Sequence, residues 1–433
     1  MNFNFQALGC RLNEAELELW ANQLVALGHQ ITSDREDADI IVFNSCAVTS
    51  EADRKSRQQI NRIQRNNPDA GLVVTGCHAS LNVDAVKDYL GVDLVVNNDD
   101  KDDLVLNLLR HFQIPVDKKN REIENTLFQR GRHRAFIKVQ DGCRYRCSYC
   151  IVTIARGQER SRKIDEIIAE INLFYRRGVQ EIVITGVHVG GYGGDIKSSL
   201  YILLSEILAR TDVPRIRLAS VEPWDLPDHF FELFHDARLM PHMHLPIQSG
   251  CDGVLKRMRR RCKTAEFTRI VEMARDTIPL FNITTDLIAG FPGETEQEWR
   301  QTMAYVESIG FGHMHIFTFS PRTGTKAATL PDHIDTATKK ARSREMHELA
   351  TKLKKRELQQ HIGNTASVLW EQKINHDHWI GYTPHYHRIT SDCTDIQTAS
   401  TISDVSIDEI DPLSLTLRNI NPNPSVWVDF HQP

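Results

Sequence analysis

The 433-residue chain contains no apolar run approaching the ~18 residues that a bilayer-crossing helix requires, so no membrane span is predicted. Met1-Asn2-Phe3-Asn4-Phe5 brings neither a basic segment nor an apolar one behind it, which argues against secretion and for a cytoplasmic location. Low-complexity tracts and exact internal repeats are also missing, which sets aside a repeat architecture. The nineteen histidines fall into no metal-binding spacing, and His376, His378, His385 and His387 are assigned to a solvated surface. The net charge of −5 by itself speaks neither for nor against nucleic acid.

What is present is a soluble globular balance, 41% hydrophobic and 25% charged, in a chain long enough for two or three cores. Charge is uneven along it. Residues 101–165 hold fifteen Lys/Arg against eight Asp/Glu, and Lys256-Arg257-Met258-Arg259-Arg260-Arg261 is denser still. Residues 361–433 hold three Lys/Arg against nine Asp/Glu. A basic run of this kind is either a solvated helix face or a phosphate-contacting surface.

The segment 1–128 alternates strands and helices. Phe3–Leu8, Ile40–Phe43 and Leu72–Val74 are predicted strands; Asn13 with Glu16 three residues on reads as an N-cap and capping box. The following helix puts Leu17, Trp20, Leu24 and Leu27 on one stripe and closes at Gly28. Unbroken apolar strands between amphipathic helices indicate an open parallel sheet covered on both faces. From Phe136 the alternation restarts with six predicted strands: 136–139, 181–185, 215–219, 243–247, 282–288 and 313–319. Helices are predicted at 162–176, 199–210, 225–235, 264–276, 294–308 and about 335–360. Six βα units are too few for an eight-stranded barrel, so 129–362 is predicted to be an open, partial (β/α)6 barrel. The short β-rich segments of 363–433, such as Ser367–Trp370 and Ser414–Leu417, predict a small β-barrel. The whole is an α/β multidomain chain.

Cysteine spacing carries the chemistry, because nine cysteines without a secretory signal indicate metal more than disulfide. Cys143, Cys147 and Cys150 offer three thiolates from one loop just beyond the first barrel strand. Three ligands suit a [4Fe–4S] cluster with one iron left open, and barrel active sites stand at that strand end. The alternatives are a zinc knuckle, which lacks a fourth ligand nearby, and a chance cluster. Cys10, Cys46 and Cys77 each follow a strand of the first segment, where the carboxyl ends of an open sheet border one crevice. Any one alone could be a buried small hydrophobe; the shared position predicts a second three-cysteine cluster. Cys251, Cys262 and Cys393 read as structural or incidental. Tyr149 lies inside the barrel's cysteine loop, and Gly186, Ser220, Glu222, Gln248 and Gly290 lie in loops at barrel strand ends. Each loop is also ordinary turn chemistry; together on one face they predict a pocket for an amino acid and a ribose.

These residues resemble the radical SAM methylthiotransferase family over nearly the whole chain. The matching blocks are Gly9–Asn13, Asn44–Thr49, Gly76-Cys77, the Cys143–Cys150 loop with Ala155-Arg156-Gly157, Gln248–Gly250 and Gly290–Thr295. The resemblance implies an N-terminal methylthiotransferase domain, a radical SAM barrel and a TRAM-like C-terminal barrel. It implies two [4Fe–4S] clusters, S-adenosylmethionine, an electron donor such as flavodoxin or ferredoxin, a sulfur donor of unknown kind, and no membrane partner. Cys143, Cys147 and Cys150 would hold the cluster that binds S-adenosylmethionine; Cys10, Cys46 and Cys77 would hold the auxiliary one. Lys138–Cys143, Cys147–Val152, Arg217–Pro223 and Gly381–Tyr386 look most like the branch acting on threonylcarbamoyladenosine at position 37 of tRNA, beside the anticodon. The sibling branches act on isopentenyladenosine of tRNA or on an aspartate of a ribosomal protein. A reading of another class is a non-catalytic iron–sulfur RNA-binding protein. The family usually has Pro at Thr153, Ser at Cys251 and Tyr at Cys262; none of these is a cluster ligand. The acidic C-terminal module would grip RNA weakly or by shape, leaving phosphate contacts to 101–165, 256–263 and 339–356.

Overall fold

Every residue of the run Ile40–Ser45 is buried, and its side chains alternate between two separate cores. Ile40 and Val42 face Phe3, Leu17, Trp20, Leu24, Leu104 and Leu108, whereas Ile41 and Phe43 face Ile60, Ile63, Leu72 and Val74. That two-sided burial is why the strand is continuously apolar. In the computed structural model, which describes residues 1–89, 91–115, 133–374, 378–392 and 399–420, it is the centre of a five-stranded sheet. Its neighbours, in order, are Gln30–Ile31, Asn2–Ala7, Ile40–Ser45, Gly71–Gly76 and Leu94–Val96, all parallel. The first and last of these are short edge strands that the hydrophobic pattern does not single out.

The helix after the first strand is Arg11–Ala26, with Cys10 at its N-cap. Asn13 and Glu16 are therefore inside the helix, not a cap and its box partner. Tertiary structure overrides local capping here, because both side chains serve the contact with the next domain. Gly28 ends the helix at φ +86°, as its position predicts.

Six parallel strands follow: Arg134–Lys138, Glu181–Thr185, Arg215–Leu218, His242–His244, Asn282–Ala289 and His313–Thr318. They form two three-stranded sheets linked by parallel bridges Ile216–Leu239 and Ser220–His244, an open partial barrel. The segment predicted as a helix at 225–235 is instead two short 3-10 turns, Pro223–Asp225 and Phe230–His235. Phe230, Phe231 and Phe234 are all buried there, so the short turns keep the one apolar face that the sequence pattern shows. The longer helices of the barrel are Ile164–Arg176, Leu200–Arg210, Thr264–Thr277 and Glu296–Ile309, with short ones at Val152–Arg156 and Asp252–Arg257, and Thr336–Gln359 closes it.

The C-terminal module is a six-stranded, mostly antiparallel sheet packed around Val368, Trp370, Trp379, Ile389, Ile407 and Leu417. Its turn residues Tyr382–Tyr386 sit against the amino ends of the barrel strands. Arg217 Nη1 donates to Pro384 O at 2.9 Å, and Asn282 Nδ2 donates to His385 O at 2.7 Å. Beneath them Glu181, fully buried, pairs with Arg217 Nε at 2.9 Å and Arg215 Nε at 3.0 Å. Burial works to raise its pKa, but Arg217, Arg215 and Arg134 outweigh it and hold the carboxyl at about 2. Burial dominates on the other partner, lowering Arg215 to about 10, which still leaves it charged at neutral pH. Because the folded pKa of Glu181 is depressed, its contribution is complete above the unfolded value and fades as pH falls toward about 2. A loss of about 3 kcal/mol from this carboxylate is expected between about pH 5 and pH 2. Denaturant midpoints followed by circular dichroism across that range test it; a flat profile contradicts it.

Histidine burial differs from the sequence expectation. His387 is buried and His385 half-buried against the end of the long helix, while His378 is partly exposed. His376 and Cys393 lie outside the described residues, as does the expected domain boundary at 128/129.

Candidate active site with two cysteine trios

The loop that carries Cys143, Cys147 and Cys150 leaves the first barrel strand through Asp141-Gly142. Gly142 has φ +70°, and a Cβ there would lie 1.9 Å from the carbonyl oxygen of Gln158, so only glycine makes this turn. Gln140 ties the turn to the next loop. Its side-chain amide donates to Gly142 O at 2.7 Å, and its Oε1 accepts from His188 N at 2.8 Å. The far end of the loop rests on the basic segment: Ser148 N donates to Met258 O at 3.0 Å and Ser148 Oγ to Arg257 O at 2.9 Å. Arg260, largely buried, reaches Cys147 Sγ at 3.9 Å. Burial pushes the Cys143 thiol up to about 12 and Cys150 up to about 11. Thiols this desolvated are poor free nucleophiles and need a cation to become thiolates.

Polar groups converge beside Cys143. His188 is fully buried; Glu159 Oε1 lies 2.5 Å from its Nδ1 and Asp225 Oδ2 lies 2.7 Å from its Nε2. Glu222 Oε2 is buried, 3.8 Å from His188 Nε2, and has no hydrogen-bond partner among the described residues. Tyr145 stacks edge-on to His188 and to Trp224, and Arg261 lies over its ring at 4.6 Å. Gln248 holds φ +77°, a left-handed backbone that a non-glycine residue keeps only where its surroundings enforce it. Tyr149 packs on Cys251, Val254, Phe291 and Phe319. Two of the expected pocket glycines have their space taken: Gly186 lies under Gln140, and the Gly290 N–H is already donated to Glu294 Oε2 at 2.8 Å.

The other trio comes together through strand register. Ser45 pairs with Gly76 across adjacent strands, so Cys46 and Cys77 leave neighbouring strand ends. Gly9, next to Cys10, passes so close that a Cβ on it would lie 2.6 Å from Cys46 Sγ. Cys46 and Cys77 are buried and Cys10 is exposed. Cys77 also packs against Ala155, and Asn98 Nδ2 donates to Ala155 O at 2.6 Å, so this crevice abuts the helix Val152–Arg156 that follows Cys150.

Between the trios lies a buried ion network. Glu16 accepts from Lys101 Nζ at 2.6 Å, Arg156 Nη1 at 2.9 Å and Lys138 Nζ at 3.3 Å. Asp141 accepts from Lys138 at 2.7 Å and Arg156 at 3.0 Å, and Arg156 Nη2 donates to Asn13 Oδ1 at 2.7 Å. Burial opposes the Glu16 charge, yet Arg156, Lys101 and Lys138 hold its carboxyl well below the usual range. Two buried carboxylates thus face three cations, and the surplus positive charge stands near Cys10 and Cys77. Three of the fifteen basic residues of 101–165 are spent in this seam: Lys101, Lys138 and Arg156 are all buried.

Comparison with known proteins follows the same division. Residues 137–306 match the Radical SAM superfamily, and residues 2–97 match the family described as Uncharacterized protein family UPF0004. The chain is 38% identical over 389 residues to the Thermotoga maritima threonylcarbamoyladenosine tRNA methylthiotransferase MtaB, covering 88% of this chain and 89% of that one. With the Bacillus subtilis protein of the same name it shares 33% over 401 residues, 89% of each chain. The chain belongs to the radical SAM methylthiotransferase family. A Staphylococcus haemolyticus tRNA-2-methylthio-N(6)-dimethylallyladenosine synthase is 32% identical, covering 98% of this chain and 86% of that one. Among solved structures, a radical S-adenosylmethionine methyltransferase, TsrM, from Kitasatospora setae aligns at TM-score 0.57 and 16% identity. It covers 76% of this chain and 77% of that one, and it supports the fold alone.

For a methylthiotransferase the donor chemistry fits. Each trio is three thiols without disulfide partners, one beside a buried surplus cation that suits an anionic cluster and the other within reach of Arg260. Three residues of the site, Gln140, His188 and Asp225, are assigned no individual role from sequence, and Arg260 is read there only as part of a phosphate-contacting run. Their neighbours in space come from different strands, and only the Gln140 and His188 positions at strand ends hinted at them. A cavity of about 620 Å³ lined by Gln6, Thr32, Arg35, Gln59 and Arg62 is on the N-terminal domain and includes none of the six cysteines.

Proposed function

We propose that this chain is a cytoplasmic methylthiotransferase that converts N6-threonylcarbamoyladenosine at position 37 of tRNA to its 2-methylthio derivative. The observation that carries the reading is the meeting of two cysteine trios across one domain seam, with Arg156 fixed between them. Residues 1–128, 129–362 and 363–433 are the three functional units of the proposal. Cys143, Cys147 and Cys150 would hold the cluster that binds S-adenosylmethionine, and Cys10, Cys46 and Cys77 would hold the auxiliary cluster. Once bound, these groups supply the electron for cleaving S-adenosylmethionine and the sulfur for transfer, radical chemistry that a non-acidic adenine C2–H demands.

The chain's own residues orient the reactants. The orphan Glu222 Oε2 offers an acceptor to an ammonium or a ribose hydroxyl, and it is restrained on one side by His188. The His188 ring is locked by Glu159 and Asp225, so the wall of the pocket beside Cys143 is rigid. Tyr145 and Trp224 present aromatic surface at the mouth, with Arg144 and Arg261 over the Tyr145 ring. An unstacked base can lie on such a surface, and a tRNA loop supplies one at less cost than a duplex. Exposed Arg146, Arg259 and Arg261 offer phosphate contacts close to the cysteine loop.

A sibling specificity for dimethylallyladenosine is the second reading, favoured by the nearly equal identity to the staphylococcal synthase. Nucleoside analysis of tRNA from a deletion strain separates the two. Loss of 2-methylthio-threonylcarbamoyladenosine, with 2-methylthio-dimethylallyladenosine intact, is expected; the reverse pattern overturns the proposed substrate. Absence of 5′-deoxyadenosine when the reduced, reconstituted protein meets S-adenosylmethionine would favour a non-catalytic RNA-binding role.

A further inference from the structure

On the far side of the barrel from the cysteine loop, three metal-ligating groups converge where the long helix meets the C-terminal module. His361 Nε2 and His387 Nε2 are 3.2 Å apart, and each lies 3.5 Å from Glu357 Oε1. All three residues are buried. Glu357 Oε1 has no hydrogen-bond partner among the described residues, and its only charged neighbours within ion-pair distance there are these two imidazoles.

We infer that Glu357, His361 and His387 form a divalent-metal site, suited to zinc, that clips the C-terminal β-module to the end of the long helix. A tetrahedral zinc ion with ligands at ~2.0–2.2 Å places its ligand atoms roughly 3.3–3.5 Å from one another. The observed triangle has those edges. A single N–H···N hydrogen bond between the histidines would account for one edge, but it would leave Glu357 Oε1 with only imidazole nitrogens at 3.5 Å, longer than a good hydrogen bond. A cation accounts for all three edges at once. Neutral imidazole is the form that binds metal.

Local structure presents the ligands. Glu357 lies in the last turn of the helix Thr336–Gln359 and His361 follows one turn later, the i, i+4 spacing that puts two side chains on one face. His387 arrives from the module, where its N–H donates to Thr383 Oγ1 at 3.1 Å and its carbonyl accepts from Thr383 N at 3.0 Å. His385, whose ring is 4.8 Å from that of His361, or a water can complete the coordination. The ligands thus come from two segments that no other covalent or metal link joins among the described residues, which is the arrangement of a structural clip.

The experiment is metal analysis of the untagged, iron-loaded enzyme after dialysis against a zinc buffer. About one zinc per chain is expected beside the iron. The Cys46→Ala variant should lose iron and keep the zinc, whereas Glu357→Gln, His361→Ala and His387→Ala should lose zinc and keep the iron. Glu357→Gln preserves side-chain shape, and circular dichroism on each variant separates metal loss from misfolding. Substitution with cobalt should give the intense visible bands of a tetrahedral site in wild type and not in the folded variants. Zinc absent from the dialysed wild type, or retained by a folded His361→Ala/His387→Ala double variant, overturns the assignment.

Discussion

Cys143→Ala and Cys46→Ala should each lower the iron and sulfide content by about half, and they should fail at different steps. The Cys143 variant is expected to give no 5′-deoxyadenosine from S-adenosylmethionine under reducing conditions. The Cys46 variant should still give it, yet transfer no methylthio group to tRNA. The separation follows from placement: the trios belong to different domains, and each is formed by its own backbone turns, at Gly142 in one case and Gly9 in the other. Neither cysteine holds the other's loop in place. Cys46 is buried and small, so alanine fits its position without displacing Gly9. Iron and sulfide counting with chromatographic detection of 5′-deoxyadenosine decides the matter. If either single substitution removes all the iron, the two-site reading is wrong.

The second large effect concerns the seam. Glu16→Ala leaves Lys101, Lys138 and Arg156 facing Asp141 alone in a fully buried space. Removing one partner of a buried ion pair costs about 3–5 kcal/mol, because the orphaned charge has lost its water as well as its partner. A fall of that size in unfolding free energy is expected from denaturant titration. Arg156→Met behaves differently. It leaves two lysines against two carboxylates, so the charge balance survives and the loss of stability is smaller. It also removes the cation beside Cys10 and Cys77, so iron at the auxiliary trio should fall while the barrel trio keeps its own. A Glu16→Ala protein within about 0.5 kcal/mol of wild type would place these residues among ordinary surface pairs.

The separation between what pattern shows and what packing shows is clear in particular residues. Ile40–Phe43 reads as a central parallel strand because two-sided burial demands an unbroken apolar run. Among the barrel strands Glu181–Thr185 shows such a run at Ile182-Val183-Ile184, whereas Arg215–Leu218, His242–His244 and His313–Thr318 mostly alternate polar with apolar residues. The edge strand Gln30–Ile31 is too short to leave that signature, and the mostly buried Leu94–Val96 shows a run of only three residues. Asn13 and Glu16 mimic a capping box because the spacing of a local motif is the same whether its groups face solvent or another domain. The turns around Phe230–Phe234 carry the one-sided apolar spacing of a helix, yet they fold as a 3-10 segment, because periodicity alone does not separate the two.

The cysteine trios were legible by themselves, since ligand spacing in one loop and position after a strand are properties of sequence. What only the tertiary structure decided is how charge is distributed around them. Lys101, Lys138 and Arg156 look like part of a basic RNA-binding stretch, yet folding buries them against Glu16 and Asp141. His387 reads as a surface residue and His361, 26 positions before it, falls into no metal-binding spacing, yet folding sets their ring nitrogens 3.2 Å from each other. Linear spacing records which chemistry a short loop can perform. The sign and partner of a buried charge depend on contacts between distant segments, and those exist only once the domains have packed.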